Sequence, residues 1–235
     1  MTAARRTAIV TGASRGIGRA IARRLARAHD IIAIARSEGE LRALAEEIAA
    51  DGGRCRPLPL DITDAAAVQR ALADVEAGIL VNNAGVGHIK PLLDLTVEEW
   101  REMASVNFDA LFYVTRAVLP GMIRGGGGDI INIGSLAGRN SFPGGTGYAG
   151  TKHAVIAFTE SLMLEVRDRN VRVAVVMPGS VATGLRTGAP LLGKTDDTSW
   201  MLTPEEIAES VAFMLEQPGN ALVSRIEIRP SVAKR

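Results

Sequence analysis

The chain has 235 residues, 47% of them apolar, and a formal net charge of +1. That length suits one large α/β domain or two small ones, and the apolar share excludes disorder. Balanced charge gives no grip on nucleic acid or membrane headgroups. Cys55 is the single cysteine, so no internal disulfide can form and a reducing, cytoplasmic setting is expected. The basic start, MTAARRTAIVTG, has too short an apolar run for a signal-peptide core, and no window approaches the roughly 18 apolar residues of a membrane span.

In chain order, short apolar runs alternate with amphipathic stretches. TAIVTG predicts a strand, and GIGRAIARRLARAH a helix with Ile17, Ile21 and Leu25 on one face and Arg19, Arg23 and Arg27 on another. IIAIAR is the next strand. SEGELRALAEEIAADGG is a helix striped by Leu41, Leu44, Ala45 and Ile48 and stopped by glycines. CRPLPLDIT reads as a strand, DAAAVQRALADVEAG as a helix starting near Asp64, and GILVNNAG as a strand running into a loop. TVEEWREMASVNFDALFYVTRAVLPGMI predicts one long helix, bent or ended near Pro120. GGGGDIINIGS is a glycine-rich connection followed by a strand; YAGTKHAVIAFTESLMLEVRD is a helix and VRVAVVMPG a strand. TPEEIAESVAFMLEQ is a helix with Thr203 as N-cap, and SRIEIRP is the last strand. Near-continuously apolar strands separated by helices predict a doubly wound parallel α/β sheet buried on both faces. No linker or repeat divides it, so residues 1–235 are expected to form a single domain.

Between the first strand and helix lies TGASRGIG, with Gly12, Gly16 and Gly18 where the chain turns. Glycine lets the backbone approach a pyrophosphate, and the following helix points free N–H groups at the same spot. The spacing is G-x-x-x-G-x-G, and a ligand-free βα turn is the competing reading. The second strand ends at Ala35 and Arg36, without the acid that would favour a free ribose 2′-hydroxyl. Arg15 and Arg36 together suit a 2′-phosphate, so NADP(H) is expected over NAD(H); solvated surface arginines are the alternative.

TGASRGIG at 11–18, NNAG at 82–85, Ser135, YAGTK at 148–152 and PG at 178–179 stand in the order and at the spacings of the short-chain dehydrogenase/reductase family, which the chain resembles over nearly its whole length. The resemblance implies a single Rossmann-type domain with about seven parallel strands. It implies that Gly12, Ser14, Arg15, Ile17 and Gly18 line the cofactor phosphates and adenosine, and that Asp61 contacts the adenine. Asn82, Ala84 and Gly85 would pack on the adenosine ribose and steady the sheet. Pro178, Gly179, Val181 and Thr183 match the segment holding the nicotinamide amide. Asn107, Ser135, Tyr148 and Lys152 match the catalytic tetrad.

Reducing a carbonyl needs a hydride on carbon, which the cofactor supplies, and a proton on oxygen. A tyrosine with its ordinary pKa near 10 exchanges protons poorly at neutral pH, and a neighbouring ammonium lowers that value. Tyr148 and Lys152 lie i and i+4 on a helix and share a face. Ser135 ends a strand and can hydrogen-bond the substrate oxygen. The resemblance gives Asn107 the holding of a water that links Lys152 to solvent. Gly145, Gly147 and Gly150 are expected to leave room beside the phenol. His29, His88 and His153 show no ligand-like spacing, so no metal site is expected, and His88 reads as a solvated loop histidine.

DVEAGILVNNAG is shorter than the family pattern, which predicts a trimmed fourth helix or loop. The end, NALVSRIEIRPS, lacks the close of the ketoacyl reductases and looks more like the branch acting on hydroxy acids, small aldehydes and ketones. Residues 183–202 match the substrate lid by position, with Leu185, Leu191, Leu192 and Trp200 as apolar contacts. Helices 98–119 and 149–168 carry Leu111, Phe112, Ile156, Phe158 and Leu162 on several sides, which with the resemblance implies a homodimer or homotetramer. The expected activity is reversible NADP(H)-dependent reduction of a small ketone or aldehyde. A nucleotide-binding sensor of the same fold is the competing reading, against which the complete tetrad argues; a sugar-nucleotide epimerase would need more chain.

Overall fold

The structure is a computed structural model; the residues described are 5–183, 186–187 (backbone only) and 197–232. The strands are β1 (Thr7–Thr11), β2 (Asp30–Ala35), β3 (Arg54–Pro59), β4 (Ile79–Asn82), β5 (Gly87–His88), β6 (Gly128–Ile133), β7 (Val171–Pro178), β8 (Arg186–Thr187) and β9 (Arg225–Ile228). Among the described residues, seven of them form one sheet in the order β3-β2-β1-β4-β6-β7-β9, and every pairing is parallel. β5 and β8 pair separately, also in parallel. β3 tolerates Pro57 and Pro59 because it lies at an edge.

Side chains alternate across the central strands. Val10, Ile79, Val81 and Val176 face one layer of helices: α1 (Gly16–Leu25), α2 (Glu38–Ala50) and α7 (Pro204–Leu215). Ile9, Leu80, Ile130 and Val173 face the other: α3 (Ala65–Leu72), α5 (Ala110–Arg124) and α6 (Thr146–Val166). Both faces are apolar, which is why these strands read as continuous hydrophobic runs. Helix starts follow local chemistry. Asp64 caps α3 through a bond from the Ala67 amide, and Thr203 forms a capping box with Glu206 ahead of Pro204.

Three expectations need correction. The long helix is neither ended nor interrupted at Pro120: α5 runs through it to Arg124, anchored by buried Ala117, Val118, Gly121 and Met122. Its break comes earlier. After α4 (Val97–Ala104) a π turn spans Ser105–Asp109, where the Ala110 amide reaches back five residues to the Ser105 carbonyl. The short stretch before β4 follows the third helix, α3, rather than a fourth, and its loop brings the Val75 carbonyl to within 3.2 Å of where a Cβ would stand on Gly121. Finally, Leu111, Ile156 and Leu162 are buried within the chain's own core, and Phe158 packs edge-on to Phe108; of that group Phe112 is exposed, near Trp100 and Leu164 in exposure.

Most buried polar groups among the described residues are paired across elements, although Asn82 Oδ1 and His29 Nδ1 have no hydrogen-bond partner. Asn82 donates to Thr115 Oγ1 (3.0 Å) and Asn132 Oδ1 (2.9 Å), and Asn132 donates to Thr159 Oγ1 (2.9 Å), tying β4 and β6 to both flanking helices. At the amino edge of the sheet the buried Asp129 carboxylate accepts from Arg6 (2.7 Å) and Arg172 (2.6 Å). Arg172 also donates to the carbonyls of Gln217 and Ala221, joining β7 to the chain beyond α7. Asp129→Ala leaves both guanidiniums without their carboxylate and is expected to lower the unfolding free energy by about 3 kcal/mol, measured by urea denaturation. A loss as small as the ~1 kcal/mol of a surface pair would contradict that weight.

Candidate active site

The carboxyl ends of the strands open into a cleft of about 1060 Å³ at the point where strand order reverses between β1 and β4. Two strand ends meet there. Thr11 Oγ1 accepts from the amides of Asn83 (3.0 Å) and Ala84 (3.1 Å), while Asn83 Nδ2 donates to the carbonyls of Thr11 (3.0 Å) and Gly12 (3.3 Å). This approach is close enough to require glycine. A Cβ on Gly12 would stand 2.8 Å from Ala84 Cα, and one on Gly18 would stand 2.2 Å from the Gly12 carbonyl oxygen. Gly12 (φ +65°) and Gly16 (φ +54°) also adopt left-handed backbone.

Gly12, Ser14, Arg15 and Ile17 line the cleft; Gly18 does not, and serves instead to seat α1 against the end of β1. α1 begins at the cleft with Arg15 as N-cap, and no side chain caps its first turn. Backbone cradle and uncapped N–H groups together fit a dinucleotide pyrophosphate. Ala84 and Gly85 line the cleft, whereas Asn82 is buried in the polar ladder and steadies the sheet from behind. Past β7, Pro178, Gly179, Val181 and Thr183 line the opposite wall, with Val181 bridged to Leu202 and Thr183 packed over Gly16.

At the end of the cleft formed by the loops after β1, β2 and β3, Arg15 and Arg36 are exposed, and among the described residues neither forms an ion pair. Asp61 lines the same end. Its carboxyl is held below the usual carboxylate range by hydrogen bonds from the Thr63 hydroxyl and amide, with Arg36 adding to the effect. Ser37, beside Arg36, is a further lining hydroxyl that the strand-end pattern did not single out.

At the other end Ser135, Tyr148 and Lys152 line the cleft together. Lys152 is buried; Nζ donates to the Ile133 carbonyl (3.0 Å) and lies 5.9 Å from the Tyr148 ring centroid. Burial pushes its ammonium down to about 8. Ser135 Oγ accepts from the Ala137 amide (3.1 Å), a bond that uses a lone pair and leaves the hydroxyl proton available. Asn107 stands behind this group, in the π turn. Its Oδ1 accepts from the Val86 amide (2.8 Å), and Nδ2 donates to the Val86 carbonyl (2.9 Å) and Thr151 Oγ1 (3.0 Å). Thr151 in turn donates to the Tyr148 carbonyl (2.9 Å), so a residue inside YAGTK joins two members of the set, Asn107 and Tyr148. Both donors of the Asn107 amide are therefore committed to protein, and one oxygen lone pair is what it can offer a water.

The glycines around Tyr148 make room for protein rather than for ligand. A Cβ on Gly145 would meet the Phe142 ring at 2.8 Å and one on Gly147 would meet Met103 Cε at 2.4 Å, while Gly150 faces open space. Gly87 is the glycine that faces the phenol, with a Cβ position 3.3 Å from the Tyr148 ring. His88 is not solvated as expected: Nε2 lies 2.7 Å from Glu102 Oε2, and the side chain is largely covered. Cys55 is half-buried and its thiol is pushed up to about 11, ill suited to nucleophilic chemistry. Among the described residues no His, Cys, Asp and Glu cluster is placed to hold a metal ion, and no helix is long and apolar enough to cross a membrane. Leu185, Leu191 and Leu192 lie outside the described residues; Trp200 lines the cleft.

Comparison with known proteins agrees with this geometry. Residues 6–190 match the family described as short chain dehydrogenase. The chain is 35% identical to the NADP-dependent 3-hydroxy acid dehydrogenase YdfG of Salmonella typhi, over 94% of each chain. It is 37% identical to the 3-oxoacyl-[acyl-carrier-protein] reductase FabG of Vibrio harveyi, over 88% of each. The alcohol dehydrogenase of Thermococcus sibiricus, solved with 5-hydroxy-NADP, superposes with a TM-score of 0.86 at 33% identity, over 97% of both chains. With its Rossmann-type sheet, its glycine cradle and this breadth of likeness, the chain belongs to the short-chain dehydrogenase family of oxidoreductases.

Proposed function

We propose that this protein reversibly reduces a ketone or aldehyde to an alcohol with NADP(H), Tyr148 acting as the acid and base. The observation that carries the reading is the buried Lys152 ammonium beside the Tyr148 ring, in the same cleft as the glycine cradle. When bound, the nicotinamide supplies or accepts the hydride. Tyr148 Oη gives its proton to the substrate oxygen during reduction and recovers it in the reverse direction. Lys152 favours the phenolate electrostatically, and its bond to the Ile133 carbonyl holds Nζ at the end of β6. Ser135 donates to the substrate oxygen and orients the carbonyl. Asn107 and Thr151 are positioning residues: through Val86 and the Tyr148 carbonyl they hold α6 against the π turn.

Exposed Arg15 and Arg36, without ion-pair partners among the described residues, support a 2′-phosphate at the adenosine end. That YdfG is NADP-dependent, and that the Thermococcus enzyme was solved with an NADP derivative, supports the same choice. We assign residues 1–235 to one cofactor-binding domain with a substrate lid around 183–202; of the described residues of that segment, Thr183 and Trp200 line the cleft, the latter with Leu136 and Phe142. A homodimer or homotetramer that covers exposed apolar side chains such as Phe112 is the expected assembly, and the cytoplasm the expected location.

Tyr148→Phe is expected to lower kcat by about 10²-fold or more while NADPH binding is retained; wild-type turnover would remove Tyr148 from the chemistry. Arg36→Ala should weaken NADPH about 10- to 100-fold and NADH far less, measured by fluorescence titration, and an equal loss for both would exclude a 2′-phosphate contact. The lysine has its own pH signature. Below pH 8 Lys152 is charged in both folded and unfolded chains, and its burial costs stability. Between pH 8 and the unfolded value of about 10.4 the folded chain sheds the proton first, so stability rises with pH. Lys152→Met should therefore gain on the wild type at pH 7 relative to pH 10, by on the order of 3 kcal/mol, in urea unfolding of the cofactor-free protein. A difference independent of pH would mean that Lys152 is not desolvated.

A further inference from the structure

The ionisable side chains lining the cleft are unevenly spread. Arg15, Arg36, Glu40 and Asp61 belong to the adenosine end, and Lys152 is buried and bonded to the Ile133 carbonyl. Among the described residues that leaves Arg229 as the one ionised group on the far wall. Arg229 follows β9, whose last residue, Ile228, pairs with Pro178 at the end of β7. The next residue, Pro230, brings Cδ to 3.1 Å from the point where a Cβ would stand on Gly179, and Leu136 Cδ1 lies 3.2 Å from that same point. Arg229 therefore emerges in the corner shared by the end of β7 and by Leu136, the neighbour of Ser135.

Among the described residues its charge is not cancelled. Glu227 Oε2 accepts from Arg229 Nη2 at 3.0 Å, while Glu227 Oε1 lies 3.6 Å from Arg139 Nη1. One carboxylate shared by two guanidiniums leaves a net positive charge. It also orients Arg229 through a single nitrogen, leaving the other donors of the fork for a ligand. A neutral substrate gains nothing from such a group, whereas a carboxylate on the substrate gains charge-assisted hydrogen bonds.

We propose that Arg229 determines specificity by binding a carboxylate on the molecule whose carbonyl is reduced, so that the preferred substrates are oxo acids and the corresponding hydroxy acids. This rests on the carbonyl-reductase reading above and adds to it a residue and a charge. The test uses the intact protein at saturating NADPH with 2-oxo, 3-oxo and 4-oxo acids, each beside its methyl ester. The wild type is expected to prefer at least one acid over its ester by about tenfold or more in kcat/KM. Arg229→Gln should collapse that ratio toward one, chiefly through the KM of the acid, and Arg229→Lys should keep part of it. Turnover of the ester by the same variant reports that it has folded. Equal use of acid and ester by the wild type, or a ratio unmoved by Arg229→Gln, overturns the proposal and leaves the reductase reading standing. If NADPH binds and no acid, ester or aldehyde is reduced, the reductase reading itself fails and this proposal with it.

Discussion

The close meeting of two strand ends, β1 and β4, governs everything built on the sheet. At the reversal of strand order the chain leaves β1 toward one layer of helices and β4 toward the other, opening a gap between them. Thr11 and Asn83 hold that gap at hydrogen-bonding distance, four bonds joining residues about 70 positions apart in the chain. The contact is so tight that neither Gly12 nor Gly18 can carry a Cβ. The glycines usually credited to a ligand thus answer first to the protein: Gly18 never reaches the cleft, and Gly12 serves both sides.

A second constraint is electrostatic. Lys152 is charged, buried and bonded to one backbone carbonyl, an arrangement that desolvation makes costly. The fold tolerates it because the surrounding framework is over-determined: Asn107 is tied to Val86 and Thr151, Thr151 to Tyr148, and α6 to the sheet through Val155, Ile156 and Leu162. An ammonium pushed down to about 8 by burial is one that can exchange a proton not far from neutral pH.

The cleft also divides by function along its length. Exposed cations and a tightly hydrogen-bonded carboxylate occupy the end beside β2 and β3; among the described residues, Ser135, Tyr148, buried Lys152, apolar side chains and Arg229 occupy the other. The first end is made from loops directly following β1, β2 and β3, where strand register leaves little freedom. The second draws on Leu136, Trp200 and Arg229, which arrive from three separate parts of the chain, so it can vary between relatives without disturbing the cradle.

Local chemistry written in the sequence determined the seven strands of the main sheet but not the short pair β5 and β8, together with the helix starts at Asp64 and Thr203, the glycine turn, and the shared face of Tyr148 and Lys152, because each depends on neighbours within a few residues. The central strands were legible because they are buried on both faces, and the edge strand β3 because its prolines do not interrupt an edge. What stayed hidden depends on partners remote in sequence. The π turn at Ser105–Asp109 has no breaker residue to announce it, and Pro120, which looks like one, is carried through by the burial of its neighbours. Gly145 and Gly147 appeared to face a ligand until packing set Phe142 and Met103 against them. The Thr11–Asn83 clamp, the commitment of the Asn107 amide, and the arrival of Arg229 beside Gly179 and Leu136 were likewise settled only when helices docked on the sheet. Side-chain direction at such positions is set by packing between layers, and no pattern along the chain encodes it.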